Sequence, residues 1–507
     1  MPQSKPLGVM MRAKIWILSG TFCCATPLAA QQAGTYDFTR ARAVIDSVMV
    51  ANNIPSIAVA VAKGDKIVWE AARGYADLEK QIPATANTPY SLASISKPFT
   101  ATGIMVLVQK ELVRLRAPVN HYLGSVKVSA REGTADGMTL ERILTHRAGL
   151  PLHYQFFYED VKDPRPPMDS SIARYAVAVY PPGDAFQYSN LGYGLLDYVI
   201  ARKSGMSYAD FMRQEIFMPL GLANTSVGIP PGAATRVAQR YDAENKPIPY
   251  YTFDHPGGSE VYSSAHDLVR FGMFHLNGRM PRQRQILATE TVEDMRRDRV
   301  PAGAPGSFWG LGWSIDYSLG GVRRVSHSGG MPGVATYLAL FPEDQVVVVV
   351  LLNKSNGAIG AVLNELSSTM VPRVAAALRA RRASPPPPTP AVDTASMSGV
   401  YGEWHGYVRS YADSIPVTLN ITKDGSRVSW NGAEPVPLSD ITFRQGTFTG
   451  LASVQSKAPD IARYAHRTLF WLRSHDGLLS GYAAAQTSTP RVYYALSSYI
   501  RLERVGP

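Results

Sequence analysis

Cysteine is almost absent from this 507-residue chain: its two copies, Cys23 and Cys24, are adjacent and lie near the start. They fall within residues 1–30, where three basic residues precede an apolar run and Pro-Leu-Ala-Ala closes it. This pattern predicts a secretory signal peptide, and therefore export to the periplasm or secretion. Its removal leaves no cysteine, which excludes a disulfide, a zinc–thiolate site and a cysteine nucleophile from the exported protein.

Long apolar runs are missing too. The apolar part of residues 1–30 is too short to span a bilayer, although an uncleaved anchor remains the alternative to a signal peptide. The most apolar later stretch, residues 346–352, has the length of a buried strand. We therefore predict no transmembrane span.

The net charge of +11 is spread along the chain, apart from three arginines within residues 379–382. No basic array is interleaved with aromatic residues, so nucleic acid is not a predicted partner. The motifs G-x-S-x-G of α/β-hydrolases and H-E-x-x-H of zinc peptidases are also absent. The sequence thus implies no metal and no cofactor.

One S-x-x-K pair, formed by Ser94 and Lys97, is present. Helical geometry brings residues three apart onto one face, about 4.5 Å along the axis. A desolvated lysine beside a serine hydroxyl can activate it as a nucleophile. Pro98 is tolerated only in a first turn, so we place Ser94 at the start of a helix. One such pair is expected by chance in most chains of this length, so a catalytic role needs the support of further motifs.

A second motif, Tyr188-x-Asn190, is the only Y-x-N in the chain. A Pro-rich and Gly-containing loop delivers it directly before an apolar helix. Its two side chains fall on the same side of an extended segment. The alternative is a helix-entry turn in which Asn190 serves as the N-cap.

A third motif, His327-Ser-Gly329, ends a predicted strand and is followed by Gly330. Glycines at a sheet edge let backbone N–H groups approach a ligand, as an oxyanion hole requires. His255 and His475 also begin H-x-G triplets but lack this setting. A strand cap without chemistry is the alternative for His327.

Strand patterns occur at both ends of residues 31–378, with helical patterns between them. The predicted strands are residues 56–62, 66–72, 310–317, 322–328, 336–341 and 346–352. A helix over residues 358–380, kinked at Pro372, follows. The fold class is α+β: the first hairpin joins the late meander in one antiparallel sheet, flanked by helices and carrying a helical subdomain.

The chain after this unit has a different composition. Residues 379–395 form a basic, proline-rich linker. Residues 396–507 show short alternating strands separated by turns, which predict a small all-β barrel.

The three motifs, in this order, resemble the serine β-lactamase and penicillin-binding-protein superfamily, in its class C-like branch. That branch includes D-alanyl-D-alanine carboxypeptidases, D-aminopeptidases and β-lactamase-fold esterases. The resemblance covers about residues 36–375 and extends to further stretches: Leu144-Thr-His-Arg-Ala-Gly149, Pro219-Leu-Gly221, Ser263-Ser-Ala-His-Asp267 and Trp309-Gly-Leu-Gly312. The tail resembles, more loosely, the lipocalin-like barrels that follow the catalytic unit in some of these peptidases.

The resemblance implies roles for the motif residues. Ser94 would form the acyl-enzyme, and Lys97 would lower its proton affinity. Tyr188 would be the general base for acylation and the general acid to the leaving group, its phenol made more acidic by Lys97. The backbone N–H groups of Ser94 and Gly330 would form the oxyanion hole.

The resemblance also implies a substrate-binding set of Asn190, His327, Ser328 and Gly329. His327 stands where class C β-lactamases carry lysine, and it would orient the proton relay or meet a substrate carboxylate. No K-T-G occurs in the chain. This departure favours a peptidase or esterase that acts on small peptides or esters. Two alternatives remain. These are a class C-like β-lactamase and a non-catalytic envelope binding module. The sequence leaves homo-oligomer formation open.

Overall fold

In the computed structural model, which describes residues 36–278, 280, 283–383 and 396–506, strands and helices alternate as an α+β chain. The predicted signal peptide and most of the predicted linker lie outside these residues. The described helices are α1 Thr39–Asn52, α2 Ser96–Gln109, α3 Leu140–Leu144, α4 Met168–Tyr175, α5 Asn190–Ser204, α6 Tyr208–Met212, α7 Pro256–Ser259, α8 Ala265–Phe274, α9 Thr289–Met295, α10 Ile359–Met370 and α11 Pro372–Ala383.

Sixteen strands precede α10 among the described residues. They are β1 Ser56–Lys63, β2 Lys66–Asp77, β3 Ile82–Pro83, β4 Tyr90–Ser91, β5 Ser129–Ala130, β6 Tyr154–Tyr158, β7 Val177–Ala178, β8 Ser226–Val227, β9 Tyr251–Phe253, β10 Val261–Ser263, β11 Val300–Pro301, β12 Ser307–Trp309, β13 Ser314–Leu319, β14 Val322–Met331, β15 Val334–Phe341 and β16 Val346–Leu352.

The central sheet has nine strands in the order β11-β12-β13-β14-β15-β16-β1-β2-β3. Strand β1 pairs antiparallel with β16, so that Ile57 lies opposite Leu352. This pairing confirms the prediction that the first hairpin and the late meander form one sheet. The helical region between them is thereby held against one face of the sheet.

Two apolar cores lie on opposite faces of this sheet. Successive side chains of a strand point to opposite faces, so β1 sends Ala58, Ala60 and Ala62 to one core. Its alternate residues, Ile57 and Val59 among them, enter the other core, which α1 and α10 cover. Strand β16 is buried along its whole length, because helices pack on both of its faces.

The predicted long helix is two helices in the structure. Helix α10 ends at Met370, Val371 has an extended backbone, and α11 begins at Pro372. Proline lacks an N–H group and is suited to the first position of a helix, so the chain restarts there instead of kinking.

The described residues after the linker form an antiparallel meander. Its strands are β17 Gly402–Arg409, β18 Ser414–Ile421, β19 Arg427–Trp430, β20 Val436–Pro437, β21 Ser439–Arg444, β22 Thr447–Ala452, β23 Arg467–His475, β24 Leu478–Thr489 and β25 Val492–Arg504. Strand β25 pairs with β17, and the two edge strands β20 and β21 are neighbours in sequence, so the sheet is a nearly closed barrel. The predicted all-β barrel is therefore confirmed.

The barrel is filled by its own side chains and is joined to the rest of the fold. Leu419, Phe448 and Phe470 are among the fully buried residues of its core. Strand β25 also pairs with β6, where Tyr494 lies opposite Gln155. Residues from Asp37 onward form one compact unit, and the predicted division at residues 378 and 396 stays a prediction. None of the described helices has the length and apolar character needed to cross a membrane.

Candidate active site

Ser94 lies in a single 3-10 turn, Ala93–Ile95, immediately before α2. The predicted helix therefore begins two residues later than expected. Ala93 has a left-handed backbone with φ of 49°, a conformation that is unfavourable for a residue with a Cβ. Ser96 stabilises this turn: its hydroxyl donates to the Ala93 carbonyl at 2.7 Å and accepts from the Val261 N–H at 2.9 Å.

Lys97 is fully buried and reaches Ser94 as the helix geometry predicted. Its Nζ lies 3.1 Å from Ser94 Oγ, and it donates to Asn190 Oδ1 at 2.8 Å and to the Gly258 carbonyl at 2.9 Å. Burial lowers the pKa of Lys97 well below its ordinary value. The amine is therefore poised to accept a proton from the neighbouring hydroxyl.

Tyr188 lies beside this pair, with its ring centroid 4.9 Å from Lys97 Nζ. Burial raises the pKa of Tyr188, and a hydrogen bond with Ser94 offsets this only in part. The expectation that Lys97 makes the phenol more acidic stays a prediction. Desolvation disfavours the phenolate, so the phenol keeps its proton in the resting site.

Asn190 is the first residue of α5, but it is not the N-cap. Ser189 has that role, because its Oγ accepts from the Gly192 N–H at 3.3 Å. The N-cap alternative for Asn190 is wrong, and its amide oxygen instead accepts from Lys97. The Y-x-N motif therefore meets the S-x-x-K motif in one place.

The third motif lies on β14, which packs against the turn that carries Ser94. A Cβ on Gly329 would lie 2.0 Å from the Leu92 carbonyl oxygen, so only glycine allows this approach. Gly330 is exposed, and a Cβ there would have no described heavy atom within 4 Å. Ser328 is also exposed. The sheet edge next to Ser94 thus leaves room for a ligand.

His327 is buried on the same strand, and its Nδ1 lies 2.7 Å from the Ser328 carbonyl oxygen. Burial lowers the pKa of His327 to about 3, and nearby Lys97 acts in the same direction. The imidazole is therefore neutral at physiological pH. It does not supply the positive charge that lysine supplies in a K-T-G triplet.

The sequence motifs do not include three groups of the site. The Gly258 carbonyl is an acceptor for Lys97, the His146 ring lies 4.3 Å from the Tyr188 ring, and Trp309 lies 5.8 Å from the same ring. Both residues belong to stretches that carry the family resemblance, but the sequence assigns neither of them a role. A single histidine or tryptophan does not form a recognisable motif, so only the fold shows these contacts.

The comparisons with known proteins agree with this geometry. A family model described as Beta-lactamase matches residues 41–368, more than half of the chain. The chain belongs to the Beta-lactamase family. The predicted resemblance is confirmed, and the protein is a serine hydrolase of the kind related to β-lactamases and penicillin-binding proteins. The lipocalin-like nature of the tail stays a prediction.

Relatives of this Beta-lactamase family chain include Penicillin-binding protein 4* of Bacillus subtilis (strain 168). That protein is 27% identical over 318 residues, which are 58% of this chain and 67% of the relative. The solved octameric penicillin-binding protein homologue from Pyrococcus abyssi is 22% identical, with a TM-score of 0.56, and the match covers 92% of this chain and 99% of that one. A β-lactamase/D-alanine carboxypeptidase from Pseudomonas syringae is 22% identical, with a TM-score of 0.55 over 66% of this chain and 99% of that one. The two structures show a shared fold.

One group of side chains among the described residues offers donor atoms for a metal ion: His153, Asp254 and His255, all buried and with donor atoms within 4.8 Å. Asp254 lies 2.6 Å from His153 Nε2 and 2.7 Å from His255 Nδ1. The first contact is a hydrogen bond, and both distances are short for two ligands of one metal. The group supports α7, whose Gly258 accepts from Lys97.

Asp197 links α5 to the same segment, because its carboxylate accepts from the Gly257 N–H at 2.6 Å. Burial raises the pKa of Asp197 to about 8, offset in part by that hydrogen bond. The folded chain thus keeps a proton between about pH 4 and pH 8 that the unfolded chain has lost. The contribution of Asp197 to the free energy of unfolding therefore falls as pH rises through this window, by up to about 1.4 kcal/mol per pH unit.

Asp197→Asn is expected to remove this penalty while keeping an oxygen for the Gly257 N–H. We expect the variant to have a higher Tm than the unsubstituted protein at pH 8.5, and a smaller difference at pH 5. Thermal unfolding at the two pH values measures this, with the exposed Asp46→Asn on α1 as the control. An equal loss of Tm at both pH values would contradict the assignment.

The barrel contacts the loop that ends at the Y-x-N motif. Arg473 of β23 donates to the Phe186 carbonyl at 3.3 Å, and its guanidinium carbon lies 4.0 Å from the Tyr180 ring centroid. Gln187 donates to the Tyr482 hydroxyl at 3.3 Å. These contacts hold the loop between the barrel and the site.

Arg473→Ala is therefore expected to lower kcat/KM by about tenfold, because a small displacement of a reacting group has a large effect on rate. The exposed Arg409→Ala on β17 serves as the control and is expected to leave kcat/KM unchanged. Steady-state kinetics and thermal unfolding of both variants measure the effect. Full activity of Arg473→Ala at an unchanged Tm would show that the barrel does not position the loop.

Proposed function

We propose that this protein is an exported hydrolase that cleaves amide or ester bonds through an acyl-enzyme on Ser94. Its favoured substrates are peptides containing D-amino acids, and small esters come second. The observation that carries the proposal is the contact of 3.1 Å between Ser94 Oγ and Lys97 Nζ, whose pKa burial lowers. The names of the relatives, among them a D-alanine carboxypeptidase, support the substrate class.

In acylation, Ser94 Oγ attacks the substrate carbonyl carbon while its proton moves to the neutral amine of Lys97. Lys97 takes this role in place of Tyr188, because burial lowers the pKa of the amine and raises that of the phenol. The backbone N–H groups of Ser94 and Gly330 stabilise the negative charge on the carbonyl oxygen. Asn190 orients Lys97 and is available to the substrate amide.

When the tetrahedral intermediate collapses, the bond from carbon to the leaving nitrogen or oxygen breaks. The phenol of Tyr188 donates a proton to the leaving group and recovers one from protonated Lys97. Water then attacks the acyl-enzyme by the reverse route, which releases the acid and restores Ser94. No electron transfer is involved, so the cycle needs no further reactant.

Hydrolysis of D-alanine p-nitroanilide and of its L enantiomer tests the substrate class. We expect Ser94-dependent release of p-nitroaniline, with kcat/KM at least about tenfold higher for the D form. Equal rates for both enantiomers would overturn the assignment to D-amino acids. Ser94-dependent loss of benzylpenicillin faster than either reaction would indicate a β-lactamase, and no hydrolysis of any substrate would indicate a binding module.

A further inference from the structure

Two buried histidines beside Ser94 each have one ring nitrogen without a described partner. His146 follows α3 and is 2% exposed, and its backbone is left-handed with φ of 56°. The Gln187 N–H donates to its carbonyl at 2.7 Å, which fixes the residue against the loop that carries Tyr188. His327 lies across the site on β14 and is 4% exposed.

The hydrogen-bond partner of His146 determines where its ring proton lies. The backbone N–H of Ser189 points to Nδ1 at 3.2 Å, and an amide N–H can only donate. The neutral ring therefore carries its proton on Nε2. Within the part of the chain that the structure describes, no group accepts from this N–H.

His327 has the opposite arrangement. Its Nδ1 lies 2.7 Å from the Ser328 carbonyl oxygen, which can only accept, so the proton is on Nδ1 and Nε2 carries a lone pair. No residue in the described ranges donates to this Nε2. Burial lowers the pKa of both histidines, with Lys97 acting in the same direction, so both rings stay neutral near pH 7.

Both rings contact the same tryptophan. The Trp309 ring lies 4.9 Å from His146 and 5.5 Å from His327, at interplanar angles of 66° and 85°. His146 also packs on Tyr188, the proposed proton donor to the leaving group. Two neighbouring rings against Trp309 therefore carry an N–H and a lone pair that no described group meets.

Buried polar groups are normally hydrogen-bonded, so this pair calls for a partner that both donates and accepts. A secondary amide, a primary amide or a hydroxyl has both properties. A carboxylate only accepts, and it would place its charge against the lone pair of His327. An ammonium group only donates, and it would meet the N–H of His146.

We propose that His146 and His327 form a donor–acceptor pair that binds an uncharged amide or hydroxyl on the leaving-group side of the substrate and disfavours a carboxylate there. This inference rests on the proposed function and narrows its substrate class. The preferred substrates are peptides or esters whose leaving group continues as an amide or ends in an uncharged polar group. Substrates with a free carboxylate next to the scissile bond are disfavoured.

A matched pair of esters tests this proposal: N-acetyl-D-alanyl glycolate and N-acetyl-D-alanyl glycolamide. They share the acyl group and differ only in a carboxylate or a carboxamide on the leaving group. We expect kcat/KM of the unsubstituted protein to be at least about tenfold higher for the glycolamide. His327→Lys supplies a cation and is expected to reverse this preference. His475→Lys, in the barrel, is the control and keeps it.

His146→Phe keeps a ring against Tyr188 and removes both nitrogens, so we expect the preference ratio to approach one. The ratio is measured within each variant, and a general loss of folding or activity cancels from it. Equal or faster hydrolysis of the glycolate by the unsubstituted protein would overturn the pair, as would an unchanged ratio in both variants. If either result were found while hydrolysis still depended on Ser94, the proposed function would stand without the histidine pair. If neither ester were hydrolysed, both the proposed function and the histidine pair would be contradicted.

Discussion

Ser94→Ala is expected to lower kcat/KM by at least about 10⁴-fold on every substrate that the protein cleaves. The substitution removes the hydroxyl that lies 3.1 Å from Lys97 Nζ and leaves the amine its two other acceptors, Asn190 and Gly258. The turn itself is stabilised by Ser96, so the backbone at position 94 is expected to stay in place. Steady-state kinetics on D-alanine p-nitroanilide measures the loss.

Ser367→Ala is the matched control for this substitution. Ser367 is another buried serine, on α10 at the opposite face of the sheet, and its replacement is expected to leave kcat/KM unchanged. If Ser94→Ala kept more than a few per cent of the activity while remaining folded, another nucleophile would have to be sought.

Lys97→Met is expected to lower kcat/KM by about 10³-fold, because proton transfer by a positioned group contributes up to about 10⁴-fold. Methionine has a similar length and no charge. The loss of a buried amine favours stability, and the loss of a donor for Asn190 and Gly258 opposes it. We expect a change in Tm of only a few degrees, so the large effect falls on the rate.

Lys354→Met provides the control. Lys354 is also buried, and it donates to the Asn53 carbonyl, the Ala243 carbonyl and Asn245 Oδ1, but it contacts no serine hydroxyl among the described residues. Its replacement is expected to lower Tm and leave kcat/KM nearly unchanged. If the two lysine variants showed the same pattern, the role of Lys97 would be structural.

The sequence predicts those parts of the site that local geometry determines. Three residues along a helix bring Lys97 to Ser94, and this holds even though the helix begins only at Ser96. Alternation and length identify the hairpin and the buried strand β16, because a period of two is set by the strand itself. The order of the three motifs identifies the family.

The remaining parts depend on contacts between distant segments. The Gly258 carbonyl is 161 residues from Lys97. Every residue has a backbone carbonyl, so no sequence motif identifies this one as an acceptor. The left-handed residue Ala93 follows Leu92, whose N–H donates to the Val261 carbonyl of β10, and no local pattern predicts this contact. The raised pKa of Tyr188 depends on distant contacts for the same reason: burial decides it, and burial is a property of the whole fold.

The measurement that tests the account most directly is the intact mass of the protein after reaction with a p-nitrophenyl phosphonate. Such a compound transfers its phosphonyl group to an activated serine, and the product is not readily hydrolysed. We predict one added phosphonyl group on the unsubstituted protein, located at Ser94 by peptide mass mapping, and none on Ser94→Ala. An adduct that persists in Ser94→Ala, or none on the unsubstituted protein, would contradict the claim that Ser94 is the nucleophile.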